Sequence, residues 1–249
     1  MNIPFLPLIA ALAAAIALLV PQDAWPQKPE VMRRIGILAI GRPLAPGAPP
    51  PALTEGGRVF RESLAKHGYV VGKNLAIESR IGEYEHLPAL AAELERLKVE
   101  VIWVIGTRGA RIVQGLVKST PLVIYSCDPF EHVTKLARHG GNVTGTTCMT
   151  TELSPKRLEL LKELLPGARR VVFFHDPEDA PEGWRLTQEA AQKLGVTIQS
   201  VPYNGRDGIP QALGQVAKSK PDAVFVYPDA ILVAEARSLA QFWVEHSLP

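Results

Sequence analysis

The stretch VIWVIGTRGARIVQGLVKSTPLVIYSCD, residues 101–128, decides the fold. Val101 to Ile105 is an apolar, β-branched run that stops at Gly106 and Thr107. An amphipathic stretch then carries the chain to Val117, and a second apolar run, Leu122 to Tyr125, stops at Ser126, Cys127 and Asp128. Continuous apolar strands are buried on both faces, the habit of parallel sheets covered by helices on each side.

Outward from this unit the rhythm recurs. Further apolar runs at Ile35 to Ile40, Leu75 to Glu78, Val171 to Phe174, Thr197 to Val201 and Ala223 to Tyr227 make seven in all, separated by helical patterns. Helices are expected from Thr54 to His67, capped by Thr54 and stopped by Gly68, and from Leu87 to Leu97. Others follow at Gly183 to Leu194, Ile209 to Lys218 and Ile231 to His246, with a short one reaching Ala137. Ser154 as cap and Pro155 at the first helical position start a helix to Leu165. Five prolines between Arg42 and Pro51 make that segment a loop. The Gly- and Thr-rich run Gly140 to Thr151 interrupts the rhythm and reads as the passage from a first α/β lobe, residues 33–145, to a second, residues 146–249. The Asn142-Val143-Thr144 triplet has the form of a glycosylation sequon, but a turn into a strand is its simpler meaning.

Residues 1–27 stand apart, because Phe5 to Val20 is apolar and uncharged, as in the core of an export signal. An uncleaved anchor is the rival, although Pro4 and Pro7 shorten the usable helix below the ~20 residues of a span. Charge is scattered along the sequence, and the full chain's net charge of +2 with 21% charged residues favours neither nucleic acid nor an anionic surface. Cys127 and Cys148, the only thiols, read first as two small, semi-buried side chains. A single disulfide is the alternative in an exported protein.

In parallel sheets ligands bind beyond the carboxyl ends of the strands. There the sequence places Gly41, Gly106 with Thr107, Cys127 with Asp128, His175 with Asp176, and Asp229. Asp128, Asp176 and Asp229 each follow an apolar strand, either as helix caps or as carboxylates lining a cleft. In the second role they would pair with an amino group, while free amides near Gly41, Gly106 to Arg108 or Cys127 would hold a ligand carboxylate. Tyr125 and Tyr203 are candidates for an aromatic wall, or for half-buried packing. Phosphate-loop, dinucleotide, nucleophile-elbow and His-Glu-x-x-His motifs are absent from the sequence. His132 and His139 are too far apart for a compact metal site, and no cofactor is indicated. An α/β enzyme, a hydrolase or sugar-processing protein using Asp128, Asp176 or His175, stands as the alternative to a binding module.

Several segments together resemble the substrate-binding proteins of bacterial ABC transporters: Arg34 to Ile37, FRESLAKHGYVVGKN (60–74), LPALAAELERLKVEVI (87–102), Gly106-Thr107, HGGNVTG (139–145) and LSPKRLELLKELLPGARRV (153–171). More narrowly they are similar to the branch some of whose members bind tryptophan or tyrosine. The resemblance implies a type I periplasmic binding-protein fold, two Rossmann-like lobes closing on a small solute, and a periplasmic monomer that delivers to an inner-membrane permease driven by a separate ATPase. By position it implies ligand contacts from Gly41, Gly106, Thr107, Cys127 and Asp128 in the first lobe and Asp176, Tyr203 and Asp229 in the second, with no catalysis. Relatives commonly have Gly-Asp-Pro where this chain has Cys127-Asp128-Pro129, and Asn-Pro where it has Asp176-Pro177, which changes the charge facing the ligand. Relatives also continue past Ser247-Leu248-Pro249, so an incomplete second lobe is expected.

Overall fold

A computed structural model describes residues 31–41, 55–128 and 141–249. The leader, the proline-rich loop, the Thr54 cap, the short helix to Ala137 and the pair His132 and His139 lie outside the described residues.

Among the described residues eight strands form two all-parallel sheets. The first runs β2-β1-β3-β4-β5, with β1 at Arg33–Ile40, β2 at Leu75–Gly82, β3 at Val101–Ile105, β4 at Leu122–Ser126 and β5 at Val143–Thr147. The second runs β7-β6-β8, with β6 at Arg170–His175, β7 at Thr197–Pro202 and β8 at Ala223–Val226. Strand order reverses between β1 and β3 in the first sheet and between β6 and β8 in the second. Such switch points open crevices at the strands' carboxyl ends.

The eighth strand is β5, which comes from the interrupting Gly- and Thr-rich run and completes the first sheet in register from Leu122↔Val143 to Ser126↔Thr147. Asn142 ends the turn before it, its side-chain amide donating to the carbonyls of Val117 and Thr120. The sequon is thus a turn fastened into the lobe.

The helices are α1 (Glu55–Lys66), α2 (Leu87–Arg96), α3 (Thr107–Leu116), α4 (Thr150–Leu164), α5 (Pro181–Leu194), α6 (Gly205–Ser219), α7 (Ala230–Ala234) and α8 (Ala236–Glu245). Three differ from the sequence expectation. Helix α4 begins at Thr150, not at Ser154; the Ser154 hydroxyl donates to the Thr150 carbonyl inside the helix, so Ser154 is not the cap and Pro155 is not at the first position. A proline in the second turn costs one hydrogen bond there. Helix α6 starts four residues earlier than Ile209, at Gly205. The last expected helix is two, because Glu235 leaves helical geometry between α7 and α8.

Burial also departs from the two-face expectation in the first sheet. β6 is buried from Val171 to His175, as a fully covered strand should be. In β1 and β3, however, Leu38, Ile40, Ile102 and Val104 are buried while Ile37, Ala39, Trp103 and Ile105 stay half-exposed. That second face lies under α1, where Phe60 meets Trp103 at 4.6 Å and a cavity of about 230 Å³ remains.

Candidate functional site

The loops at the carboxyl ends of the two sheets face one another across a cavity of about 550 Å³. The first sheet contributes Ile40, Ile81, Ile105, Gly106, Thr107, Tyr125 and Cys127, and the second Asp179, Pro228, Asp229, Ala230 and Val233. Most of this wall is apolar, and its two carboxylates both come from the second sheet's loops.

Gly106 caps α3 at φ 107°, a backbone region that favours glycine. Its amide is held by the Tyr125 carbonyl at 2.9 Å. Thr107, buried at the first position of α3, accepts from the Cys127 amide at 3.0 Å and stands 3.3 Å from the Ser126 hydroxyl. This hydroxyl ties the start of α3 to the end of β4. Cys127 is joined to Cys148, with 4.8 Å between Cα atoms, so the reading as two free thiols is corrected. Parallel pairing of β4 with β5 brings the residues just beyond their ends side by side, and sequence spacing alone does not reveal that pairing. Both cysteines belong to the cavity wall.

On the opposite wall, Asp229 caps α7: its Oδ1 accepts from the Ile231 and Leu232 amides at 2.7 and 2.9 Å. Tyr203 donates its hydroxyl to Asp229 Oδ2. The tyrosine is fully buried behind the aspartate and stacked on Phe174, so it supports the wall and is not itself part of it. Burial pushes the Asp229 carboxyl up to about 6 and the Tyr203 phenol well above its ordinary value.

The other anticipated residues stand elsewhere. Gly41 follows β1 with its amide on the Gly82 carbonyl, next in sequence to the lining residue Ile40. Asp128 sits beyond the disulfide with its amide on the Ser126 hydroxyl. Asp176 faces a second, charged cavity of about 440 Å³, shared with Glu83, Tyr84, Arg108 and Arg206. His175 is enclosed between Phe173 and Trp184, its Nε2 2.8 Å from the Ser200 hydroxyl, and burial holds its imidazole below the usual range. Among the described residues no three metal-ligating side chains converge.

Sequence reasoning passed over the residues that connect the two halves. Arg108, in the first turn of α3, donates from its backbone amide to Asp179 Oδ1 at 2.9 Å, while its guanidinium meets Asp176 at 3.1 Å and Glu178 at 2.7 Å. The same guanidinium lies 4.1 Å over the Tyr84 ring. Arg206 of the second half answers with Glu83 of the first at 3.1 Å and with Glu235. Asp179 is only 6% exposed. Burial first, and the Asp229 charge second, push its carboxyl up to about 7, against the Arg108 amide and Arg111, which lower it. A signal was present in the sequence, an acidic residue four positions after the end of β6, but its partner lies 71 residues away.

Residues 50–245 match the family described as ABC transporter substrate binding protein. The chain belongs to that family. This ABC substrate-binding protein is a small-molecule solute-binding component of a transporter, with a membrane permease as its partner. It has the type I periplasmic binding-protein fold of two lobes. A conserved domain protein of Vibrio cholerae O1 biovar El Tor is similar to it with a TM-score of 0.75 and 21% identity, over 88% of this chain and 73% of that one. An ABC domain of Streptococcus pneumoniae in complex with L-Trp gives 0.72 and 19%, over 88% and 72%. A leucine binding protein of Thermotoga maritima gives 0.55 and 18%, over 79% and 56%. At these identities the likeness speaks for the fold. No curated protein matches the chain in sequence.

Proposed function

We propose that the solute occupies the 550 Å³ cavity and is handed on unchanged, outside the cytoplasm, by a protein that acts as a monomer and binds no nucleic acid. The observation that carries this reading is the make-up of the cavity: its walls come from the strand ends of both lobes, so a solute there touches both at once and favours their closure. Gly106, Thr107, Cys127 and Asp229 would touch it directly. Gly41, Asp128 and Tyr203 would shape its floor and back wall, and Asp176 would govern closure through Arg108. The lobes divide after β5, where the chain passes from Thr147 through Cys148 into α4.

The apolar majority of the wall fits an aliphatic or aromatic body. His175 has no substrate-facing position and Asp176 is neutralised by Arg108, which removes two of the residues an enzyme at these strand ends would need. The test is a thermal-shift panel of small metabolites including L-tryptophan, L-leucine and benzoate, followed by calorimetry. Saturable stabilisation without product is expected; product formation, or no stabilisation by any solute, would overturn the reading.

A further inference from the structure

We propose that the solute bound in this cavity carries a protonated amine and no carboxylate, and that Asp179 makes the selection. This rests on the reading of the cavity as the solute site. The first-turn amides of a helix attract anions, and α3 turns such an end toward the cleft. Here the Arg108 amide is already taken by Asp179 Oδ1, a carboxylate supplied by the opposite lobe. At the start of α7, whose Ala230 and Val233 line the same cavity, the Ile231 and Leu232 amides are taken by Asp229 Oδ1. At both of these helix starts the protein has thus set its own carboxylate on amides that a solute carboxylate could otherwise take.

Charge around the cavity points the same way. Asp179 and Asp229 are each 6% exposed, and neither Lys nor Arg side chains are among the cavity's lining residues. The Arg108 guanidinium is turned away, toward Asp176 and Glu178. The Arg108 amide engages Oδ1 of Asp179, and Asp179 is itself one of the residues that line the cavity. A solute ammonium would meet two buried carboxylates in a water-poor space, where charge-assisted bonds are strongest. A solute carboxylate would add a third negative charge, an unfavourable contact that works as selection against it.

Protonation tests the same idea. Asp179 is pushed up to about 7 by burial and by Asp229 and Asp176, against the Arg108 amide and Arg111; Asp229 is pushed up to about 6. An amine stays protonated across this range, so its binding should strengthen as the carboxyls ionise between pH 6 and 8.

The experiment is calorimetry on the full chain with three matched sets: tryptamine, L-tryptophan and indole-3-propionate; phenethylamine, L-phenylalanine and 3-phenylpropionate; isopentylamine, L-leucine and 4-methylpentanoate. In at least one set the amine should bind about tenfold or more tighter than both carboxylate members at pH 8, and lose roughly tenfold at pH 6. Asp179→Asn should level the amine preference; the wild-type comparison decides the matter even if that variant folds poorly. An amino acid or acid binding as tightly as its amine, or no binding by any amine, overturns the proposal. If a carboxylate or neutral solute from the wider panel binds, the solute-binding reading survives without it; if nothing binds, both fall.

Discussion

A Cβ on Gly106 would stand 3.2 Å from the Cβ of Ala230, which belongs to the other lobe. The lobes therefore meet at a point where one side chain of a single carbon would interfere, at a residue whose φ of 107° already disfavours any Cβ. Gly106→Ala should lower stability by about 1–2 kcal/mol through the backbone and raise the solute Kd roughly tenfold or more by holding the lobes apart. Denaturation and calorimetry on the same preparation separate the two effects, and an unchanged Kd would refute the second.

Asp179→Asn should gain stability at alkaline pH. The folded carboxyl, at about 7, lies above its ordinary 3.8, so its contribution is complete below 3.8 and is lost as pH rises through 7. In the unliganded protein the variant should exceed the wild type at pH 8 by on the order of 1–3 kcal/mol and keep less than about half of that advantage at pH 5. The buried His175, held below its ordinary 6.5, titrates in the opposite sense but equally in both proteins, so it cancels in the difference. Urea unfolding at the two pH values measures this.

Arg108→Ala should destabilise by about 3 kcal/mol, because it strips the side-chain cation from the buried Asp176 carboxylate. Arg108→Lys should recover only part of the loss, since one ammonium does not reproduce a guanidinium held by Asp176 and Glu178 together. Small-angle scattering of the alanine variant should show a more open molecule than the wild type.

Cys127→Ser combined with Cys148→Ser, or reduction of the native protein, should cost about 3 kcal/mol, the entropy released to the unfolded chain by a closed loop with a separation of 21 residues. Solute affinity should fall as well, because both residues stand in the cavity wall. Equal denaturation midpoints with and without reductant would contradict this.

The sheet framework was legible because each buried strand reads as an apolar run with glycine or a polar residue at its end. Gly106, Thr107 and Asp229 stood out as strand-end residues for that reason. β5 was harder, since Val143–Thr147 is mostly exposed and carries a single buried residue, so it lacks the apolar signature. Ser154 and Pro155 imitate a helix start, yet packing extends α4 by a further turn. Arg108 and Asp179 could not be paired from sequence, because a contact across 71 residues depends on how two lobes meet. Tyr84 belongs with them: it follows β2 in a single 3-10 turn and matters only because Arg108 lies over its ring.

Arg108 serves two compartments with different parts of itself, its amide holding Asp179 of the apolar chamber's wall and its guanidinium holding Asp176 of the charged one. A guest that draws Asp179 off the amide therefore also tugs at the clasp on Asp176. Loading and letting go share a single moving part, like a door whose handle and bolt are cut from one bar.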